Sequence, residues 1–322
     1  MADLRKQNLL ETVNAAVVFE EVLLEISLKD SRIVFISADS YIGAGASGFK
    51  KTFPDRFFEF GISEQNACSH AAGMAFMGLK PFFASIATFA TMRCFEQIRD
   101  DLARQNLNVV IIGRGAGMSY SIQGPTHVSI DEIGILRTLP NMTIIDPCDI
   151  SEFKQAVRSS VEINGPVYIR EHKKLPKKIH NEDYVFKIGK AEIIKPGKDI
   201  SLISCGVSIL RAIIAAEILE EKGIEAEIIN MPTIKPIDKE AIINSVNKTK
   251  RAITIEEHSI INGLGSSVSE IISENCEAKL KRIGFDDLFA IEGPYEEIID
   301  YYGLDSLSMA KKIEKFILET KC

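Results

Sequence analysis

The chain has 322 residues, 46% of them hydrophobic and 26% charged, a balance typical of globular proteins and a length that accommodates two hydrophobic cores. Its 38 basic and 45 acidic side chains leave a formal charge of −7, which argues against a nucleic-acid or anionic-membrane surface and points to small molecules or proteins as partners. The N-terminus, MADLRKQNLLETV, has no continuous apolar stretch after its charges, and no later run approaches the roughly 18 apolar residues that span a bilayer, so a cytoplasmic location is expected.

In chain order, short β-branched runs at 32–37, 108–113, 142–145 and 166–170 predict strands separated by helical lengths. This alternation is the signature of a parallel α/β sheet, here a first domain over residues 1–170. Residues 171–184 break it with charge and a proline and predict a linker, in which His172 and His180 would be exposed. The alternation then restarts, with strands at 199–205, 225–230 and 251–256 and helices near 208–222, 264–274 and 306–320, predicting a smaller α/β domain over 185–322. The six cysteines, Cys68, Cys94, Cys148, Cys205, Cys276 and Cys322, form no C-x-x-C pair, so reduced, mostly buried thiols are expected. A two-domain α/β fold by itself leaves the chemistry open.

The chemistry is concentrated in 56–81, RFFEFGISEQNACSHAAGMAFMGLKP: a short apolar strand, a Gly-Ile-Ser turn, then a helix rich in small residues. Glu64 falls in the first turn of that helix, where a carboxylate gains a few tenths to about 1 kcal/mol from the helix dipole and needs no catalytic role. Alanines at 67, 71 and 75, with Gly73 and Gly78 nearby, predict a face that another element approaches closely, such as a helix of a dimer partner.

The run FEFGISEQN resembles the element carrying the thiamine-activating glutamate in transketolases, deoxyxylulose phosphate synthases and the beta subunits of 2-oxo-acid dehydrogenases. The resemblance extends from LRKQNL to EEHSIINGLGS, and its most specific blocks are GISEQN, PFFASIATFATMRCFEQIR, IQGPTH and LRTLPNMTIIDPCD. Their order is similar to that of a transketolase pyrimidine-binding domain followed by the family's C-terminal domain. The resemblance implies a thiamine diphosphate pyrimidine-binding fold with a parallel sheet, then a transketolase C-terminal-like α/β domain.

It also implies roles. The cofactor reacts after its own aminopyrimidine removes a proton from its thiazolium ring, and a carboxyl on the ring nitrogen opposite the amine promotes the tautomer required; Glu64 matches that carboxyl. Such a group must share a proton near neutral pH, which burial favours and the helix dipole opposes. Phe89 matches the aromatic residue that stacks on the pyrimidine, a contact worth roughly 0.5–1.5 kcal/mol beyond area burial, with Ile86 and Met92 at neighbouring positions that are often aromatic. Asp39, at the carboxyl end of the first strand where open α/β sheets bind ligands, matches either a cofactor contact or a turn cap. His127, in GPTH, matches a histidine that contacts substrate hydroxyls and carbonyl. His70 and His258 are expected to be structural or interface residues.

Several positions depart from the family. Gln123 replaces an aspartate that reads a sugar hydroxyl, and Gly115, preceded by Arg114, stands where a second histidine often meets the sugar phosphate. Lys173, with Arg170 nearby, replaces a phosphate-binding arginine, keeping the charge and losing the fork. Arg5 is compatible with a further anion contact. The resemblance therefore implies a ketose substrate with an anionic tail, phosphate or sulfonate.

No Gly-Asp dipeptide occurs in the chain, so the family's Gly-Asp-Gly motif, which holds magnesium and the cofactor's diphosphate, is expected on a partner, an N-terminal transketolase subunit, in a two-fold heterotetramer. The expected activity is transfer of a two-carbon ketol unit from a ketose to an aldose. One alternative is a decarboxylating enzyme of the deoxyxylulose phosphate synthase or 2-oxo-acid dehydrogenase type. Another is a non-catalytic regulatory subunit, against which the joint presence of Glu64, Phe89 and His127 speaks.

Overall fold

The computed structural model describes residues 11–320. Its continuous apolar runs fold as strands buried on both faces, as the lack of polar alternation requires. The N-terminal half forms β1 (Thr12–Asn14), β2 (Ile33–Ser37), β3 (Phe57–Glu59), β4 (Lys80–Ile86), β5 (Val110–Arg114), β6 (Thr143–Ile145), β7 (Val167–Glu171) and β8 (Lys174–Pro176). The C-terminal half adds β9 (Glu192–Lys195), β10 (Ile200–Ser204), β11 (Ala226–Asn230), β12 (Thr233–Lys235), β13 (Arg251–Ser259) and β14 (Lys279–Phe285).

The larger sheet runs β12-β6-β7-β5-β4-β2-β3. Every pair from β6 to β3 is parallel, and only β12, which comes from the C-terminal half, lies antiparallel, with Thr233 opposite Ile145. The smaller sheet runs β14-β13-β10-β11-β9, parallel except for β9. Helices cover the faces. Helix Ala15–Lys29 starts at Asn14, whose side chain accepts from the Ala16 N–H at 3.1 Å, satisfying one of the orphan donors of the first turn. The helix buries Phe19 against Phe35 and Phe82, with ring centroids 6.3 and 6.2 Å apart.

Parallel strands bring their carboxyl ends to one edge of the sheet, where ligands of open α/β sheets bind. Here that edge gathers the segments following Ser37, Glu59, Ile86, Arg114 and Glu171.

The expected exposed linker is not what forms. β7 continues to Glu171, β8 pairs antiparallel with β1, and both His172 and His180 are buried. The reason is electrostatic: the segment's basic side chains answer carboxylates that the fold has buried. His172 Nε2 lies 2.8 Å from Asp146, while His180 lies 3.0 Å from Asp149 through Nδ1 and 2.9 Å from Glu192 through Nε2, its ring stacked on Tyr184 with centroids 3.7 Å apart.

Arg170 belongs to the same seam. It is 0% exposed, donating to Glu132 at 2.5 Å, to Asp146 at 2.9 Å and to the carbonyls of Ser129 and Glu257 at 3.0 and 3.2 Å. Burial pushes the Asp146 carboxyl up, but the Arg170 and His172 charges outweigh it and hold the group below the usual carboxylate range.

The small-residue helix, Glu64–Phe76, also corrects an expectation. Ala67 and Ala71 pack into the chain's own core with Phe83, Ile98 and Leu102, so their size lets the helix approach its own sheet rather than a partner. The side of this helix facing solvent carries Gly73 and Phe76 instead. Cys68, Cys94, Cys148 and Cys205 are buried free thiols and Cys276 a partly buried one. Among the described residues no helix is long and apolar enough to cross a membrane.

Candidate active site

The turn that delivers Glu64 is organised by Glu59, the last residue of β3. Its carboxylate accepts from the Asp39 N–H at 2.7 Å and the Gly61 N–H at 3.0 Å, joining the turn after β2 to the loop before Glu64. Asp39 and Gly61 both have left-handed backbone, φ 52° and 65°. Gly61 takes that conformation at no steric cost, and Asp39 is among the few side chains that tolerate it. Asp39 is exposed at this edge, its backbone N–H serving the turn.

Glu64 opens its helix and is 2% exposed. Ser63 does not cap the helix with its side chain; its Oγ donates to the Phe60 carbonyl at 2.8 Å. Arg93, absent from the residues singled out in the sequence, instead meets the carboxylate. Its Nη1 donates to both oxygens, at 2.7 and 2.8 Å, and its guanidinium carbon stands 4.0 Å from the centre of the Phe89 ring. Arg93 follows Phe89 by four positions in ATFATMR, just past the helix Ala87–Thr91, but the acid it meets lies 29 positions earlier.

From Phe89 the contacts continue to the loop that carries His127. The His127 ring meets Phe89 edge-on at 5.2 Å and Tyr120 at 6.4 Å, and its Nδ1 lies 2.9 Å from Thr126 Oγ1. Arg114 Nη2 donates to the Tyr120 hydroxyl at 3.1 Å, and Lys173 Nζ stands 5.8 Å from the Tyr120 ring centre. Tyr120, Arg114 and Lys173 line a cavity of about 410 Å³.

Glu171 lines the same cavity. It is 2% exposed, with one oxygen lacking a hydrogen-bond partner. Burial pushes its pKa up to about 7 against the pull of the Arg114 charge.

Two glycines explain how this corner is filled. A Cβ at Gly115 would lie 2.0 Å from the Tyr120 ring, and one at Gly43 would lie 2.5 Å from the Arg114 guanidinium. With Tyr120 in place, position 115 has no room for a histidine side chain, and the neighbouring Arg114 reaches Tyr120 instead.

The structure thus brings Glu64, Phe89, His127 and Lys173 into one arc. Ile86 ends β4 and Met92 follows helix Ala87–Thr91, both partly buried and flanking Phe89 in sequence. Gln123 is exposed on the single turn Ser121–Gln123. Arg170, expected to contact substrate, is instead enclosed in the seam, where its ion pairs leave it no access to a ligand. Arg5 lies outside the described residues.

His70 and His258 have structural partners. His70 Nδ1 is 2.9 Å from the Asn66 carbonyl. His258 is buried, with Nδ1 2.7 Å from the Ser259 carbonyl and Nε2 accepting from the Gly134 N–H at 3.3 Å; burial lowers its pKa to about 4. Among the described residues Cys148, Glu152 and His180 have the closeness of a metal cluster. Both His180 nitrogens already face carboxylates, however, so no free lone pair points at an ion.

Comparison with known proteins agrees with this architecture. Residues 11–178 match the transketolase pyrimidine-binding domain and residues 189–309 the transketolase C-terminal domain. The chain is 40% identical, over 92% of its length and 93% of the relative's, to a transketolase C-terminal section of Methanocaldococcus jannaschii. It is 34% identical over 91% of both chains to a 6-deoxy-6-sulfo-D-fructose transketolase subunit of Clostridium sp. MSTE9. It is 38% identical, over 93% of its length and 96% of the relative's, to one of the apulose-4-phosphate transketolase subunits of Phocaeicola vulgatus. A solved split-gene transketolase, described as an inactive beta4 tetramer, superimposes with a TM-score of 0.88 at 33% identity, covering 96% of this chain and 100% of that one. The chain belongs to the transketolase family, joins that family's pyrimidine-binding and C-terminal domains, and is an enzyme subunit of the transketolase type.

Proposed function

We propose that this chain is the pyrimidine-holding subunit of a thiamine diphosphate-dependent transketolase, that a separate N-terminal subunit holds the diphosphate and magnesium, and that the donor is a ketose with an anionic tail. The observation that carries the reading is that the buried Glu64 carboxyl and the Phe89 face both contact a single planar N–H-bearing group. A cradle with those two walls fits a flat heteroaromatic ring with a nitrogen in its edge. When bound, the cofactor supplies a nucleophilic carbon that accepts the two-carbon unit.

This chain's own residues then have distinct tasks. Glu64 holds a proton at the pyrimidine nitrogen, in a dry position that strengthens the hydrogen bond, and Phe89 fixes the ring plane. Thr126 engages Nδ1 of His127, leaving Nε2 for a substrate hydroxyl or carbonyl. Arg114 and Lys173 place two cations beside the cavity that Tyr120 lines, which suits a phosphate or sulfonate, the fork of Arg114 engaging two of its oxygens. Relatives named for a sulfonated and a phosphorylated sugar are consistent with that choice.

The test is reconstitution. The chain alone should neither hold the cofactor tightly nor transfer a ketol unit, and the mixture with an N-terminal subunit should do both, with anionic ketoses preferred over neutral ones. Robust transfer by the chain alone, or carbon dioxide release from pyruvate as the main reaction, would overturn the reading.

A further inference from the structure

We infer that Arg93 stands in for the cofactor's pyrimidine in the unassembled chain and must leave before the ring can dock. The inference rests on the function proposed above and concerns how the same site is kept and released.

One guanidinium makes both contacts assigned to the incoming ring. It donates to both Glu64 oxygens, at 2.7 and 2.8 Å, and lies over Phe89 at 4.0 Å. It also has the chemistry of the group it replaces, being flat, delocalised and able to present an N–H to a carboxylate while its face rests on an aromatic ring. A ring stacked on Phe89 with its nitrogen against Glu64 would occupy the same space.

Exposure shows which partner can move. The Arg93 side chain is 41% exposed and that of Glu64 is 2%. Arg93 therefore reaches inward from the surface over a fixed, buried acid, and can swing out into water by rotating its own side chain. Glu64 has no such freedom, and a buried carboxylate without a partner is costly. Arg93 thus holds the acid in a satisfied state until another donor takes over, and cofactor binding is an exchange of one planar donor for another.

The exchange can be measured on the full-length chain without turnover, by following binding of the free pyrimidine fragment, 4-amino-5-hydroxymethyl-2-methylpyrimidine, by NMR titration. Arg93→Met keeps the apolar stem and removes the donors. It should bind the fragment about ten- to a hundredfold more tightly than the unaltered chain, the range expected when a charge-assisted competitor is removed. Adding Glu64→Gln to Arg93→Met should abolish the gain. Equal or weaker binding by Arg93→Met, with Glu64→Gln alone still weakening it, would overturn the exchange while leaving the functional reading intact. Binding insensitive to Glu64→Gln and to Phe89→Ala would overturn both, because the fragment would then not use this site.

Discussion

Arg170 and Arg93 both answer buried carboxylates, and their surroundings differ at every other point. Arg170 is fully enclosed, with two acids and two carbonyls as acceptors, all from within the chain. Arg93 is 41% exposed, gives one nitrogen to one acid, and rests on a ring. The seam around Arg170 draws all of these partners from within the chain. The arc around Arg93 is closed provisionally, by a side chain able to withdraw. Two clusters of similar composition thus differ in how many partners each charge has and in how open they are to solvent.

The largest effect should come from the arc. Glu64→Gln or Glu64→Ala in the assembled enzyme should reduce turnover by about 10³–10⁴-fold, the upper part of the range for general acid–base groups, while subunit association persists. Hydrogen–deuterium exchange at the cofactor's thiazolium carbon isolates the step, and near-normal exchange in Glu64→Ala with cofactor bound would show that another residue has the role.

In the seam the loss should appear as stability. Arg170→Met leaves Glu132 buried without its cation and Asp146 with His172 alone, and should cost about 3–5 kcal/mol in denaturant unfolding. A loss below about 1 kcal/mol would erase the contrast between the two clusters.

His180 extends the seam's behaviour to pH. Burial lowers its pKa, but the hydrogen bond to Asp149, the contact with Glu192 and the charges of Glu152 and Asp149 outweigh that and raise it from 6.5 to about 10. The folded chain therefore holds a proton there that the unfolded chain has released. This stabilisation is complete below pH 6.5 and is lost as pH rises towards 10. The unfolding midpoint should fall across that window, and His180→Gln should flatten the fall. An equally steep fall in the variant would assign it to other groups.

The smallest effect belongs to Glu171, whose pKa burial raises from 4.5 to about 7. The unfolded chain releases this proton from pH 4.5 upward while the folded chain keeps it to about pH 7, so the stability cost grows between those values and is level above them; Glu171→Gln should stabilise the chain by up to about 3 kcal/mol at pH 8 and by almost nothing below pH 4.5. No difference between the two pH values would mean that the carboxylate is solvated through the cavity.

The sequence disclosed what is encoded over short distances. The apolar runs that became β2, β5, β6, β7, β10, β11 and β13 were legible because burial on both faces leaves no polar alternation. β8, β9 and β12 are three or four residues long and gave no comparable pattern. β4 is a long buried run, yet its residues stand out as part of a motif rather than as a strand. Glu64, Phe89 and His127 stood out because contiguous blocks surround them.

Arg93, Glu59 and Tyr120 did not stand out, since tertiary contact creates their roles; Arg93 meets an acid 29 positions away. The stretch EHKKLPKKIHNED misled for the same reason. Its charges look solvated locally, whereas the acids that bury His172 and His180 lie 26 and 31 positions earlier.

The pairing of β12 with β6 has a consequence for how the chain can be divided. Without Thr233–Lys235, β6 would become the last strand of the larger sheet, presenting Thr143–Ile145 as an unpaired edge to any passing chain. The C-terminal half thus acts as a guard on the N-terminal sheet. A fragment cut between the two halves would be prone to self-association, so a shortened version of this protein has to retain that three-residue strand or replace it with an edge that repels further pairing.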